Sequence, residues 1–574
     1  MYADEVSLAA IAHRDSRKFW AVYISFLELG PLLLPNENSW LTICTTETVA
    51  LKHVAASLGQ LVKAILLDLF LGAHDPQLAG IRLETNGTHY RLFVKLGMLL
   101  CDGGAHQALW SAALHGGHKL CMLCSNVYSR KSGLSDEAGA EVLVCNGECF
   151  TTEDCDLMSN QEMFESYDRV TATWESHVFE YVKKAHSTAA GYRYEPHGLM
   201  AHVPLRYRVL RPREQFCHDV AHCVFVGGAF GLTLFLVLET IFKGGVSGVY
   251  KAVYSFLDGW SWPQAAGWDT SIKEVFAPER VKSSREARTI KCSGGDALSL
   301  YSVLGCFIRL MNFADEWPAE CAVCFAFVIM CDLFLEAASG GVTPAMLRDS
   351  IDTFLRAFVA AGWSDFMIPK LHWLVHFPDH LDQFSWLVSC WVLERKHKEA
   401  KRYAAMAHNM TSYASSLLCD AICHNLHYGM KASSFNLHAG LLDAHTASRR
   451  TYEFLRLLFD FPPNTARPNE VFASTSARFG TRGTVHVGDV ILIRDAVRPL
   501  AAEVRVLASI HDSVFAVVSE WSFVDADDTF RRWSRWSTAD SEFSAVALPD
   551  ILCTCARKMY SGGIALVLHP YHVR

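Results

Sequence analysis

Hydrophobic positions change period several times along the chain. Phe19–Leu29 (FWAVYISFLEL) is aromatic and β-branched, as a strand is. Thr48–Phe70 carries apolar residues at helical spacing. Gly80–Glu84 and Tyr90–Leu100 return to strand character, the second running straight into Cys101-Asp102-Gly-Gly. This alternation predicts an α/β domain over residues 1–110. Periodicity then fades: 111–165 is rich in Cys, Gly, His and acids, which fits a small metal-stapled or irregular module. Helical spacing dominates 166–385, with breaks at Gly244-Gly245, Trp260–Gly267 and Gly340-Gly341, and continues through 386–450.

Pro462–Asn469 holds three prolines and predicts a linker within 451–479. Beyond it the pattern switches to period two at Thr484–Ile493, Glu503–Ala508, Ser513–Ser519 and Ile564–Leu568. Gly and Asp punctuate these runs, so 480–574 is expected to form a small all-β, SH3-like barrel.

Composition narrows the class. At 574 residues the chain exceeds a single hydrophobic core, and 51% hydrophobic with 20% charged residues is globular. A net charge of −8 argues against duplex binding over the whole surface, so any DNA contact must be a local basic stripe. Met1-Tyr-Ala-Asp-Glu has no signal-peptide pattern, and 19 cysteines then indicate a reducing compartment, nuclear or cytoplasmic. Val224–Phe242 (VFVGGAFGLTLFLVLETIF) has the length of a membrane span but carries Glu239. A core helix of a large helical domain has the same composition.

Four groups of residues carry potential chemistry. Asp4 and Asp102 lie at or beside strand-like segments, where paired divalent ions find rigid oxygen ligands; a strand-end Asp also serves as a turn or cap residue. Cys121-x-x-Cys124 and Cys145-x-x-x-Cys149 are spaced to close a structural zinc site, with Cys155, His115 and His118 as alternative ligands. Asp219 and His222 share a helix face at three-residue spacing and could orient a carboxylate or a metal-bound water; capping explains the same spacing. His372 and His376 are an i,i+4 pair, a possible metal geometry, but no Glu follows His372 as a zinc protease needs, so core packing is the simpler explanation. Glu394 is followed by Arg395, Lys396, Lys398, Lys401 and Arg402, an acid with flanking cations that suits a DNA backbone; a solvated basic face has the same look.

The order of these motifs resembles the catalytic region of CACTA-type (En/Spm-like) DDE/D DNA transposases. Asp4 comes first, then Asp102 with Cys121-x-x-Cys124, Asp219-x-x-His222, Lys370-x-His372 and Glu394. The resemblance spans about 1–430. It implies an RNase H-like α/β core, interrupted by a zinc knuckle and a large α-helical insertion, with 386–450 as closing helices, and it leaves the β-barrel domain after them unassigned. It further implies Asp4, Asp102 and Glu394 as the catalytic Mg²⁺ or Mn²⁺ ligands. Asp219, His222 and His372 become accessory residues, zinc becomes structural, and DNA becomes the partner alongside self-association. Neither a membrane nor a small-molecule substrate is implied.

Three departures bear on activity. Only three residues precede Asp4, His115-Gly-Gly-His118 replaces a more flexible turn, and the chain is acidic. They predict weak or absent strand cleavage and transfer in a decayed, domesticated or incompletely read copy. The alternatives are a non-catalytic zinc-containing scaffold that binds chromatin or a partner, and a membrane protein built on 224–242.

Overall fold

The computed structural model describes all residues except 8–17, 130–131, 135–142, 145–151, 265–269, 407–411, 430, 432–434, 436–437, 461–467, 480–482, 512, 527–532, 540 and 569–574. The chain is mixed α/β and divides into two units. The first is Met1–Phe230 with Ala337–Phe435; the second is Gly231–Glu336 with Asn436–Arg574.

The first unit is built on five strands: β1 (Tyr2–Val6), β2 (Phe19–Ile24), β3 (Leu41–Glu47), β4 (Leu99–Cys101) and β5 (Phe216–His218). Their order across the sheet is β3-β2-β1-β4-β5. β1, β2 and β3 are antiparallel neighbours, whereas β4 joins β1 in parallel and β5 joins β4 in parallel. Tyr2 pairs with Leu100. Two residues further along both strands, the parallel register brings Asp4 level with Asp102, on the same side of the pleat.

Two helices cover this sheet. α3 (Trp391–Met406) and α4 (Tyr413–Gly429) bury Val392, Leu393, Ala400, Ala404, Tyr413 and Leu417 against Tyr2, Phe19, Tyr23 and Leu100. The apolar positions of α3 recur at helical spacing, so one stripe meets the sheet while Arg395, Lys398 and Arg402 face outward. A short helix, α1 (Gly103–Leu109), follows β4, and another, α2 (Pro369–Trp373), continues into a 3₁₀ turn at Leu374–His376.

Several expectations need correction. The strand pattern of Phe19–Leu29 ends at Ile24 and becomes a 3₁₀ turn at Leu27–Leu29. Thr48–Phe70 is two helices, Thr48–Lys52 and Ser57–Leu71, separated where Ala56 and Ser57 adopt positive φ. Tyr90–Leu100 is likewise two strands. Thr88–Leu92 forms an exposed hairpin with Ile81–Thr85 through a left-handed Asn86-Gly87 turn, and β4 is separate.

The apolar stretch 224–242 is interrupted. A π-helical turn, Ala221–Phe225, is followed by Gly227 at φ 57, and the α-helix runs Ala229–Lys243. By length and apolarity this segment and Pro318–Ala337 could each cross a membrane, but 83% and 56% of their apolar windows are buried inside the protein.

In the second unit the β region extends well beyond a small barrel. Among the described residues it comprises an eleven-stranded sheet and a three-stranded one. Strands begin at Gly440–Leu442, and Trp260–Ser261 pairs with Ile551–Tyr560. The stretch expected as a linker holds the helix Arg449–Leu458 and the strands Val471–Ser474 and Ser476–Arg478; residues 461–467 lie outside the described residues.

Candidate functional site

Three clusters of potential ligands occur among the described residues, all in the first unit. The first sits where β1 meets α3. Asp4, Glu394 and His397 each present a donor atom within 4.8 Å of the others. Asp4 Oδ2 accepts from the Tyr2 hydroxyl at 2.8 Å and Oδ1 from the Glu5 amide at 2.7 Å. His397 Nδ1 lies 3.8 Å from Glu394 Oε2, one helical turn away.

The acids have opposite electrostatic fates. Burial, reinforced by the charges of Asp102 and Glu394, pushes the Asp4 carboxyl up to about 6, against the pull of His397 and the Tyr2 hydrogen bond. The His397 hydrogen bond outweighs burial at Glu394 and holds it below the ordinary value.

Asp102 follows β4 and is the N-cap of α1, its Oδ1 accepting from the Ala105 amide at 2.6 Å. It lies outside the 4.8 Å set, yet its charge acts on both Asp4 and His222. Asp102 is thus a helix cap whose charge is felt at Asp4 and His222.

The second cluster is Asp219, His222 and Cys390. Asp219 directly follows β5 and is 1% exposed. Its Oδ2 stands 2.7 Å from His222 Nδ1, and its Oδ1 accepts from the Cys390 amide at 2.8 Å. Burial works against the Asp219 charge, but the hydrogen bonds from His222 and Cys390 with the His222 charge keep its carboxyl below normal. Burial alone would lower His222; Asp219, then Asp102 and Asp4, carry it up to about 9. Because Cys390 also accepts from the amides of Leu393 and Glu394, Asp219 ties the end of β5 to the first turn of the Glu394 helix. Cys390 escaped sequence reasoning, its only signal being its place four residues before Glu394.

The third cluster is Cys121, Cys124, His372 and His376, all buried and able to hold a metal ion. Cys121 Sγ is 3.2 Å from His376 Nε2, and Cys124 Sγ is 3.5 Å from the Nε2 atoms of both histidines. The two Nε2 atoms are 3.3 Å apart. The histidine pair assigned to core packing thus stands on the two sulfurs. Cys145 and Cys149 lie outside the described residues. Cys155 hydrogen-bonds Cys124 and His372 from a half-buried position, and His118 is half-buried outside the cluster.

The cations divide. Lys396 is 1% exposed, donates to Asn425 Oδ1 at 3.1 Å and pairs with Glu399 at 3.5 Å, so it is not a DNA contact. Arg395 pairs with Glu37 at 2.6 Å and donates to the Pro35 carbonyl. Lys398 and Arg402 are exposed, and Lys401 acts on Glu394 from the same helix face. No family model matches this chain, and no curated protein matches it.

Proposed function

We propose that the first unit is an RNase H-like domain of transposase descent, and that Asp4, Asp102 and Glu394 hold Mg²⁺ or Mn²⁺ for DNA strand cleavage and transfer. The observation that carries this reading is the approach of Asp4 and Glu394, from opposite ends of the unit, to within 4.8 Å. The strand order supports it: three antiparallel strands continue into two parallel ones, with Asp4 central and Asp102 level with it on the neighbouring strand. Carboxylates gathered on rigid elements would stabilise attacking and leaving oxygens in an in-line displacement, with water and then a DNA 3′-OH as nucleophiles.

His397 counts against high activity. An imidazole within the same 4.8 Å set competes with a metal ion for the Glu394 carboxylate, so weak turnover is expected. A nicking assay on supercoiled DNA with Mn²⁺ tests the reading. Wild type should nick and Asp102→Asn and Glu394→Gln should not; equal nicking by all three removes these acids from the chemistry.

A second reading, a non-catalytic metal-stapled scaffold, draws on the use of Asp102 Oδ1 as a helix cap. Titration separates the two. A scaffold has no Mn²⁺ site that is lost in both Asp4→Asn and Glu394→Gln.

A further inference from the structure

One element of the first unit stands clear of its core. Ile81–Thr85 and Thr88–Leu92 form a two-stranded hairpin, and all thirteen successive residues from Ile81 to Phe93 are exposed. Among the described residues the two strands pair only with each other. The hairpin is nevertheless amphipathic. The cross-strand pairs Ile81–Leu92 and Leu83–Tyr90 share one face, and Arg82–Arg91 and Glu84–His89 share the other. Ile81, Leu83, Tyr90 and Leu92 are 41, 46, 53 and 39% exposed. A lone two-stranded hairpin is marginal in water and is ordinarily completed by further strands or a covering element. Arg82 directly opposite Arg91 adds like-charge repulsion.

The turn fixes what the free edges offer. Asn86 and Gly87 both have positive φ, 50 and 74, which gives a two-residue type I′ turn with Thr85 and Thr88 as its hydrogen-bonded flanking pair. Hydrogen-bonded pairs alternate along an antiparallel ladder, so Leu83–Tyr90 and Ile81–Leu92 also bond across the hairpin. The amide and carbonyl groups of Arg82 and Glu84 therefore point outward from one edge, and those of His89 and Arg91 from the other. A free edge is a template for another chain unless its charges forbid pairing.

The Arg82–Glu84 edge matches itself. Set antiparallel against a second copy about a two-fold axis at Leu83, each Arg82 meets the Glu84 of the other chain through two backbone hydrogen bonds. On the polar face the repelled Arg82–Arg91 pair gains a carboxylate neighbour. On the apolar face the row becomes Tyr90, Leu83, Leu83, Tyr90, and each leucine is flanked on both sides. The opposite edge has no such match, because an axis at Tyr90 sets Arg91 against His89. A nucleic-acid duplex would engage the arginines but would meet Glu84 as a like charge and leave the apolar row uncovered.

We propose that the Ile81–Thr85 edge is a self-association surface, where a second copy of this chain pairs antiparallel, centred on Leu83, to form a four-stranded sheet. The surface shares no residue with Asp4, Asp102 and Glu394 and does not depend on the nuclease reading.

Sedimentation velocity of the full chain over a concentration series should show a reversible monomer–dimer equilibrium. Arg82→Glu and Glu84→Arg should each weaken it by about tenfold or more, because each sets like charges across the axis. A mixture of the two variants should recover the wild-type strength, since opposite charges face each other again, and that recovery excludes misfolding as the cause of the loss. Leu83→Cys should cross-link two chains under mild oxidation with diamide, which takes up the two electrons and two protons of the thiols. Tyr90→Cys should add no cross-link over wild type. A folded wild type that stays monomeric at every concentration, a dimer indifferent to both charge reversals, or cross-linking through Tyr90→Cys in place of Leu83→Cys would overturn the assignment. So would a fall in DNA affinity in Arg82→Glu at unchanged association, which would make the hairpin a nucleic-acid contact.

Discussion

His222 Nδ1 and Asp219 Oδ2 lie 2.7 Å apart in a buried ion pair beside the acids of β1 and β4. The folded protein raises the His222 pKa from 6.5 to about 9, so the pair's contribution to stability is fully present below pH 6.5 and lost as pH rises through about 9. The unfolding free energy of the first unit, taken from denaturant titrations, should fall over that window by an amount on the order of 2 kcal/mol. His222→Gln should be less stable at pH 6 and show a flatter profile between pH 6.5 and 9.5. An unchanged slope in the variant would assign the pH dependence to another group.

Asp4 titrates with the opposite consequence. Its carboxyl is raised from 3.8 to about 6, so its protonated form favours folding at low pH and that advantage disappears as pH rises through about 6. Above pH 6 the charged carboxylate is a cost, and Asp4→Asn should stabilise the first unit by roughly 1–2 kcal/mol at pH 7.5. The same substitution should abolish Mn²⁺ binding at the proposed site. Wild-type Mn²⁺ affinity should weaken as pH drops below about 6, measured by calorimetry in a non-coordinating buffer.

The cations of α3 should separate into structural and surface roles. Lys396→Ala leaves the Asn425 oxygen without its donor and Glu399 with His424 alone, and should cost about 1–3 kcal/mol of stability. Lys398→Ala and Arg402→Ala should leave thermal stability within about 0.5 kcal/mol. Paired, they should weaken DNA binding and reduce its salt dependence by a slope of about two. Fluorescence anisotropy across a salt series reads this directly.

In the second unit, Glu239 in the apolar helix is held bidentately by Arg285, at 2.9 and 3.0 Å, with the Tyr250 hydroxyl at 3.3 Å. Arg285→Ala leaves a nearly buried carboxylate with only the Tyr250 hydroxyl and the more distant Lys243, at 3.7 Å, and should destabilise that unit by about 3 kcal/mol. Arg285→Met with Glu239→Leu should recover most of the loss in a thermal melt, because no uncompensated charge remains.

Much of the candidate chemistry was legible because it lies where local pattern changes. Asp102 ends an apolar run, and Asp219-x-x-His222 opens one. Cys121-x-x-Cys124 stands in an aperiodic segment. The partners were not legible. His372 lies 248 residues from Cys124, and i,i+4 spacing on an apolar face is equally a packing signal. β5 is three residues long, too short to display a period, and was absorbed into the surrounding helical pattern. β3 alternates only weakly, because Thr42, Thr45 and Thr46 blur its faces. The β region was underestimated because period-two runs reveal strands but not how many sheets they join.

Between Cys124 and His372 the chain runs for 248 positions before returning to the same four atoms. The entropy of closing such an excursion grows only logarithmically, so doubling its length would add about 0.6 kcal/mol. Added length inside this excursion, away from β5, Asp219 and His222, should therefore cost little at the point where the four donor atoms meet.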